Sequence, residues 1–358
     1  MKTLAGLIAI AGVCGWATLE GTAAPQSPAG QTFSFRTNVN SVNVAVTVTD
    51  ANGRFVPNLR AEDFIVLEDG KPQAVQQFDS ERVPVSLGLA LDTSGSMAGP
   101  KIQAAQAALR RFLFDLLDPT DEVFFYRFDS KPELVQSWTT DRSAIANALG
   151  SIRPNGGTAI YDTVAEAIPM TQAGTLRKKA LLLISDGQDM NSHMHLDQVR
   201  QLIRESEVLV YAVGIEDEGR LSSSSAPATS TSANPRGSVP TPSPFPGRAV
   251  ASAPATSSSP STSSSGSSKG CGGSGNSKDR IGAETLHQLT DDSGGRTEII
   301  CTQKDLDPAT AGIADELRRQ YFLAYTSSVP KDGRWHTIEV QLKKGGYHVR
   351  SRRGFIAG

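Results

Sequence analysis

Val83-Pro84-Val85-Ser86-Leu87-Gly88-Leu89-Ala90-Leu91-Asp92-Thr93-Ser94-Gly95-Ser96 is the stretch whose reading decides the fold. The run through Leu91 is almost continuously apolar, the mark of a parallel-sheet strand covered on both faces. At its end stand one carboxylate and two hydroxyls at alternate positions, Asp92, Ser94 and Ser96. All three are hard oxygen donors of the kind that Mg2+, Ca2+ or Mn2+ prefers. Open α/β sheets bind their ligands at the carboxyl ends of strands, so this strand end offers part of a cation site.

Downstream of this run, strands and helices alternate. Residues 101–117 form a helix whose Ile102, Ala105, Leu109, Phe112, Leu113 and Leu116 share one face. Strands follow at 122–128 and 134–138, helices at 142–152 and 160–171, and a fully apolar strand at 180–184. A helix at 196–205, a strand at 208–213, a helix at 283–289, a strand at 296–301 and a helix at 308–319 complete the series. Such alternation specifies βαβ units and an α/β, doubly wound, mostly parallel sheet. Residues 219–278 interrupt it with Ser, Pro, Thr, Ala and Gly and almost no large apolar side chain. That composition cannot offset its ordering entropy, so the segment is expected to be a disordered insert, bare or bearing O-linked glycans.

Both flanks are β. Residues 31–82 contain the alternating 41–49, a turn with Asn52-Gly53 and a strand-turn at 64–71. Residues 321–358 contain strands at 321–326, 337–342 and 347–355, with turns at 331–334 and 344–346. Each group is too small to close a core alone. They are expected to pair, which would insert the α/β domain (83–320) into a small discontinuous β-sandwich. Arg350, Arg352 and Arg353 are read as a solvated strand face.

Residues 1–24 have the layout of a secretory signal: Lys2, an apolar run over 4–19, then Gly21-Thr22-Ala23-Ala24 with cleavage after Ala23 or Ala24. The competing reading is an uncleaved anchor, but the run is short of the ~20 residues a spanning helix needs. Val13 before Cys14 is a poor fit to a lipoprotein signal. No integral membrane segment is expected after cleavage, which places the protein in the secreted, periplasmic or cell-surface space. There, Cys271 and Cys301 either pair or remain two separate thiols. A net charge of -2 gives no electrostatic case for nucleic acid or an anionic membrane.

Two further motifs extend the strand-end donors. Gly156-Gly157-Thr158 offers a third hydroxyl in a loop between helices, and Ile184-Ser185-Asp186-Gly187 places a second carboxylate at the end of another apolar strand. If both strands are parallel and adjacent, Asp92 and Asp186 end at one sheet edge. Asp92-x-Ser94-x-Ser96, Thr158 after Gly-Gly and Asp186 in Ser-Asp-Gly together resemble the metal-ion-dependent adhesion site of the von Willebrand factor type A domain. No signature residue is replaced, and the resemblance covers about residues 83–320. More loosely, the whole chain resembles secreted bacterial proteins in which such a domain lies between β segments.

The resemblance implies a Rossmann-like fold and a role for each residue. Ser94, Ser96 and Thr158 supply hydroxyl oxygens to Mg2+ (or Ca2+ or Mn2+), and Asp92 and Asp186 act directly or through water. Such a shell is short of six oxygens, and an Asp or Glu of a partner protein can complete it. The expected function is an extracytoplasmic, cation-dependent protein-binding or adhesion module, not an enzyme. Rival readings are a structural cell-envelope protein whose metal only stabilises loops, and a metal-dependent hydrolase. Asp92-Thr93-Ser94 departs from the Asp-Thr-Gly of aspartic proteases, and the sequence has neither a nucleophile elbow nor a P-loop lysine. His193-x-His195 invites a transition-metal reading, though a plain loop is the favoured one.

Overall fold

The apolar run occupies the middle of a six-stranded sheet. In the computed structural model, which describes residues 41–216 and 277–357, it forms β5 (Val85–Asp92), buried along its whole length. The sheet also contains β6 (Glu122–Phe128), β7 (Pro132–Thr139), β8 (Lys178–Ser185), β9 (Leu209–Ile215) and β10 (Thr297–Ile300), in the order β10-β9-β8-β5-β6-β7. All neighbours are parallel except β7, which runs antiparallel at the edge.

Side-chain alternation along each strand divides the core into two layers. Leu87, Leu89 and Leu91 of β5, with Leu182 and Ile184 of β8, face α1 (Pro100–Arg111), α2 (Arg142–Gly150) and α6 (Leu306–Arg319). Phe124, Leu181, Leu183 and Ala212 point the other way, onto α3 (Ile160–Gln172), α4 (Leu196–Glu205) and α5 (Ser277–Thr290). The connection from β5 passes through α1 on one face to β6. The connection from β8 passes through α4 on the opposite face to β9. The two diverge, so the carboxyl ends of β5 and β8 flank the topological switch point of the sheet.

The flanking strands are β1 (Ser41–Thr49), β2 (Phe64–Glu68), β3 (Lys71–Gln73), β4 (Val75–Asp79), β11 (Tyr321–Thr326), β12 (Trp335–Leu342), β13 (His348–Arg350) and β14 (Gly354–Ile356). They form two four-stranded sheets, β13-β1-β11-β4 and β14-β12-β2-β3, each mixing strands from both ends of the chain. Val44, Val46, Phe64, Val66, Leu323 and Val340 fill the space between them. Ala45 and Phe322, on the outer face of the first sheet, join the core of the α/β part. Contacts to the residues just before β8 and β9 place these sheets at the amino edge of the six-stranded sheet. Arg177 pairs with Asp79 at 3.1 Å and stacks over Phe322, and Asn43 donates to Glu207 at 3.1 Å.

Several sequence expectations need correcting. The helix expected at 101–117 is α-helical only to Arg111 and closes with a π-helical turn, Phe112–Leu116. The closing strand expected at 347–355 is two strands in different sheets, because residues 351–353 cross from one to the other. The Arg350, Arg352 and Arg353 face is not uniformly solvated. Arg352 is 6% exposed and donates to the Gly354 carbonyl, Arg350 binds the buried Glu316, and Arg353 alone keeps a largely exposed side chain. The disordered segment expected at 219–278 lies outside the described residues up to 276. Its last two residues, 277 and 278, belong to the polar first turn of α5, which carries no apolar periodicity. The signal segment and Cys271 also lie outside the described residues. Cys301 is disulfide-bonded.

Candidate functional site

The switch point brings together the donors singled out in the sequence. Asp92 is the last residue of β5 and fully buried. Its Oδ2 accepts the Ser185 hydroxyl at 2.5 Å, a bond between the ends of two adjacent strands, and its Oδ1 accepts the Ser94 amide at 2.8 Å. Burial pushes the Asp92 carboxyl up to about 6, against those hydrogen bonds and with help from the neighbouring charge of Asp186. Ser94 is buried and Ser96 exposed, and their hydroxyls lie 3.0 Å apart.

Backbone bonds lock the Thr158 loop to this one. The Gly95 amide donates to the Gly156 carbonyl at 3.0 Å, and the Asn155 amide to the Thr93 carbonyl at 2.8 Å. Thr158 is 4% exposed. Its amide donates to Asn191 Oδ1 at 3.1 Å, and its carbonyl accepts the amides of Met190 and Asn191. A Cβ on Gly157 would lie 1.8 Å from Asn191 Oδ1, so a larger residue would displace the Asn191 side chain that accepts the Thr158 amide. Asp186 follows β8 directly, and its Oδ2 accepts from Lys101 Nζ of α1 at 3.1 Å. Gly187 next to it has φ +95 and lies against the backbone of Gly282 in α5.

All five predicted donors therefore sit on three loops cross-linked at one sheet edge. Two carboxylates and three neutral hydroxyls are hard oxygen donors, which suits Mg2+, Ca2+ or Mn2+ better than a thiophilic ion. The residues 189–195 serve a different purpose. Asp189 Oδ1 accepts the amides of Ile160 and Tyr161, capping α3. Asp162 accepts the amides of His193 and Met194, and His195 begins α4 with its amide on Gln198. His193, with its side chain 94% exposed, touches Asp162 only from the surface. Among the described residues no three His, Cys, Asp or Glu side chains are grouped to hold a metal.

Sequence reasoning missed Lys101 and the hydrogen-bonding part of Ser185. Ser185 was visible in Ser-Asp-Gly but had no partner until β5 and β8 were adjacent. Lys101 carried a signal: a cation in the first turn of a helix opposes the helix dipole.

The model of the von Willebrand factor type A domain matches residues 87–188, which span Asp92 to Asp186. The match covers less than a third of the chain, and over it the chain is similar to a von Willebrand factor type A domain. The chain is 27% identical over 215 residues to mouse inter alpha-trypsin inhibitor, heavy chain 4, covering 49% of this chain and 23% of that one. It is 29% identical over 142 residues to an uncharacterized protein of Synechocystis, covering 38% and 33%. The match thus spans a third or less of each of these curated relatives. Among solved structures, a von Willebrand factor type A protein from Catenulispora acidiphila aligns with TM-score 0.46 and 13% identity, over 90% of this chain and 74% of that one. Proximal thread matrix protein 1 of the mussel byssus, with a zinc-occupied MIDAS motif, aligns with TM-score 0.45 and 13% identity, over 70% and 50%. In this chain the matched residues lie in the α/β part, together with the five candidate donors. No helix among its described residues is long and apolar enough to cross a membrane.

Proposed function

We propose that this protein is an extracytoplasmic, divalent-cation-dependent binding module that grips an acidic residue of a partner protein. In this reading residues 1–24 are a cleaved secretory signal, and the type A domain of 83–320 is carried by the β segments on either side. Asp92, Ser94, Ser96, Thr158 and Asp186 hold Mg2+, or Ca2+ or Mn2+ in its place. The observation that carries the reading is the cross-linked set of five hard oxygen donors at the switch point.

Both Asp92 oxygens already accept hydrogen bonds, which suits a carboxylate that acts through bound water. Two carboxylates and three neutral hydroxyls leave a divalent cation roughly neutral but with an incomplete shell, so a partner carboxylate is the natural addition. Binding of cation and partner should then reinforce each other. Met190, 70% exposed beside Thr158, offers an apolar contact at the rim for the partner's flanking residues.

The test is direct. Mn2+ binding followed by electron paramagnetic resonance should be lost in Asp92→Asn and Thr158→Ala while near-ultraviolet circular dichroism is unchanged. In a cross-linking pull-down, magnesium should retain a partner that a chelator releases. Retention indifferent to the chelator and to both substitutions would falsify the reading.

A further inference from the structure

Asp292, which follows α5, is one buried carboxylate facing three guanidiniums. Its Oδ2 accepts from Arg200 Nη2 at 3.1 Å and from Arg204 Nε at 2.8 Å, both in α4. Its Oδ1 lies 4.0 Å from Nη1 of Arg353, in the segment between β13 and β14, too far for a hydrogen bond. Among the described residues, no other carboxylate comes within 4.0 Å of these three arginines. Three positive charges against one leave two in surplus. Neighbouring Arg352 adds nothing to it, because it has its own carboxylate, Glu207 at 3.5 Å. The surplus is held in a fixed arrangement. The Arg353 amide donates to the Asp292 carbonyl at 3.3 Å, and the Arg204 guanidinium lies over the Trp335 ring at 5.5 Å. It is also open to solvent, since the Arg200, Arg204 and Arg353 side chains are 29%, 35% and 60% exposed.

We propose that Arg200, Arg204 and Arg353 form a binding site for a phosphate group, free or as a monoester. A guanidinium carries five N–H donors in a planar fork. Arg200 and Arg204 each give Asp292 one hydrogen bond, and the Arg353 side chain gives it none. Arg200 Nε is buried and has no hydrogen-bond partner among the described residues, so that donor is already stripped of water. A clamp that only joined α4 to the strand crossing would need one guanidinium for one carboxylate. A carboxylate ligand, with one charge and two oxygens, would leave part of the surplus uncancelled. A phosphate monoester carries about −1.5 to −2 charges at pH 7 on its free oxygens, which matches both the surplus and the forks. The site shares no residue with the five cation donors.

The full chain should be titrated calorimetrically, at fixed ionic strength in chloride, with inorganic phosphate, glycerol 3-phosphate, methyl sulfate and acetate. Phosphate or its ester should bind about tenfold or more tightly than acetate or methyl sulfate. The tighter of the two phosphates gives the source, free ion or ester. Arg353→Gln removes a largely exposed charge, so it tests the site even where Arg200→Gln fails to fold. Each should weaken phosphate binding about tenfold. Arg60→Gln removes an equal charge from an exposed arginine outside the cluster and should leave phosphate binding unchanged. Acetate or methyl sulfate bound as tightly as phosphate, or no phosphate binding by the parent, overturns the proposal. So does phosphate binding that is unchanged in folded Arg353→Gln, or weakened equally in Arg60→Gln. The cluster is then a clamp between α4 and the strand crossing.

Discussion

At the scale of single residues, the candidate site is held in place by side chains that are not among its five candidate donors. Ser185 fixes the buried Asp92 carboxylate through its hydroxyl, and Asn191 fixes Thr158 through its side-chain carbonyl. Groups that orient metal ligands in this way commonly change metal affinity by about 10- to 100-fold when removed. Ser185→Ala should therefore lower Mn2+ affinity about tenfold, read by the same resonance titration, with little loss of helix content. An unchanged affinity would mean that Asp92 is held by its other partners alone. Gly187→Ala is expected to act similarly through the backbone. Its φ of +95 and the neighbouring Gly282 backbone leave a Cβ only 3.1 Å of room, so Asp186 must shift. These dependencies were illegible in the sequence, because each joins positions on strands or loops distant in the chain. Asp92, Ser94 and Ser96 were legible because they share one strand end.

At the scale of elements, α6 is held where the α/β part meets the β segments. Glu316 of α6 is buried and accepts hydrogen bonds from Tyr211 of β9, Thr47 of β1, Arg296 and Arg350. Burial works against its charge, but the Arg350 and Arg296 guanidiniums hold the carboxyl below its ordinary value. Removing one member of such a network leaves the others unpaired. Glu316→Gln should lower unfolding stability by about 3 kcal/mol in urea titrations. An effect within about 0.5 kcal/mol would show the network to be dispensable. The same junction marks where pattern reading stops. The strands at 122–128 and 321–326 and the helix at 196–205 were readable from periodicity, since each has one dominant environment. Arg350 and Arg352 look like surface residues in any local window, and it is Glu316 that holds the half-buried Arg350 and Glu207 and the Gly354 carbonyl that face the buried Arg352. The short β4, whose Gln76 and Gln77 are exposed, has too little apolar pattern to announce itself.

At the scale of the whole molecule, stability should depend on pH through His336 of β12. Asp69 accepts from its ring at 2.7 Å and Asp332 lies at 3.3 Å, and the Asp69 hydrogen bond raises the His336 value above 6.5. A raised value in the folded state means stability that is complete below the unfolded value and lost as pH rises through the folded one. Asp69 itself is lowered, first by His336, so its share is present above 3.8 and lost on acidification. Between these limits the triad contributes most. Melting temperature should fall more in the parent than in His336→Gln between about pH 5.5 and about pH 8. Parallel profiles for the two proteins would remove His336 from the account.

The placement of the β-sandwich has a mechanical meaning. The chain enters β5 and leaves α6 on the side where Arg177 meets Asp79 and Phe322, and the five donors sit at the opposite end of the same strands. Tension between a tethered sandwich and anything held at those donors runs lengthwise through β5 and β8. Their interstrand hydrogen bonds lie across that line of pull and share the load side by side, so the central sheet resists as a sheared seam and does not unzip bond by bond.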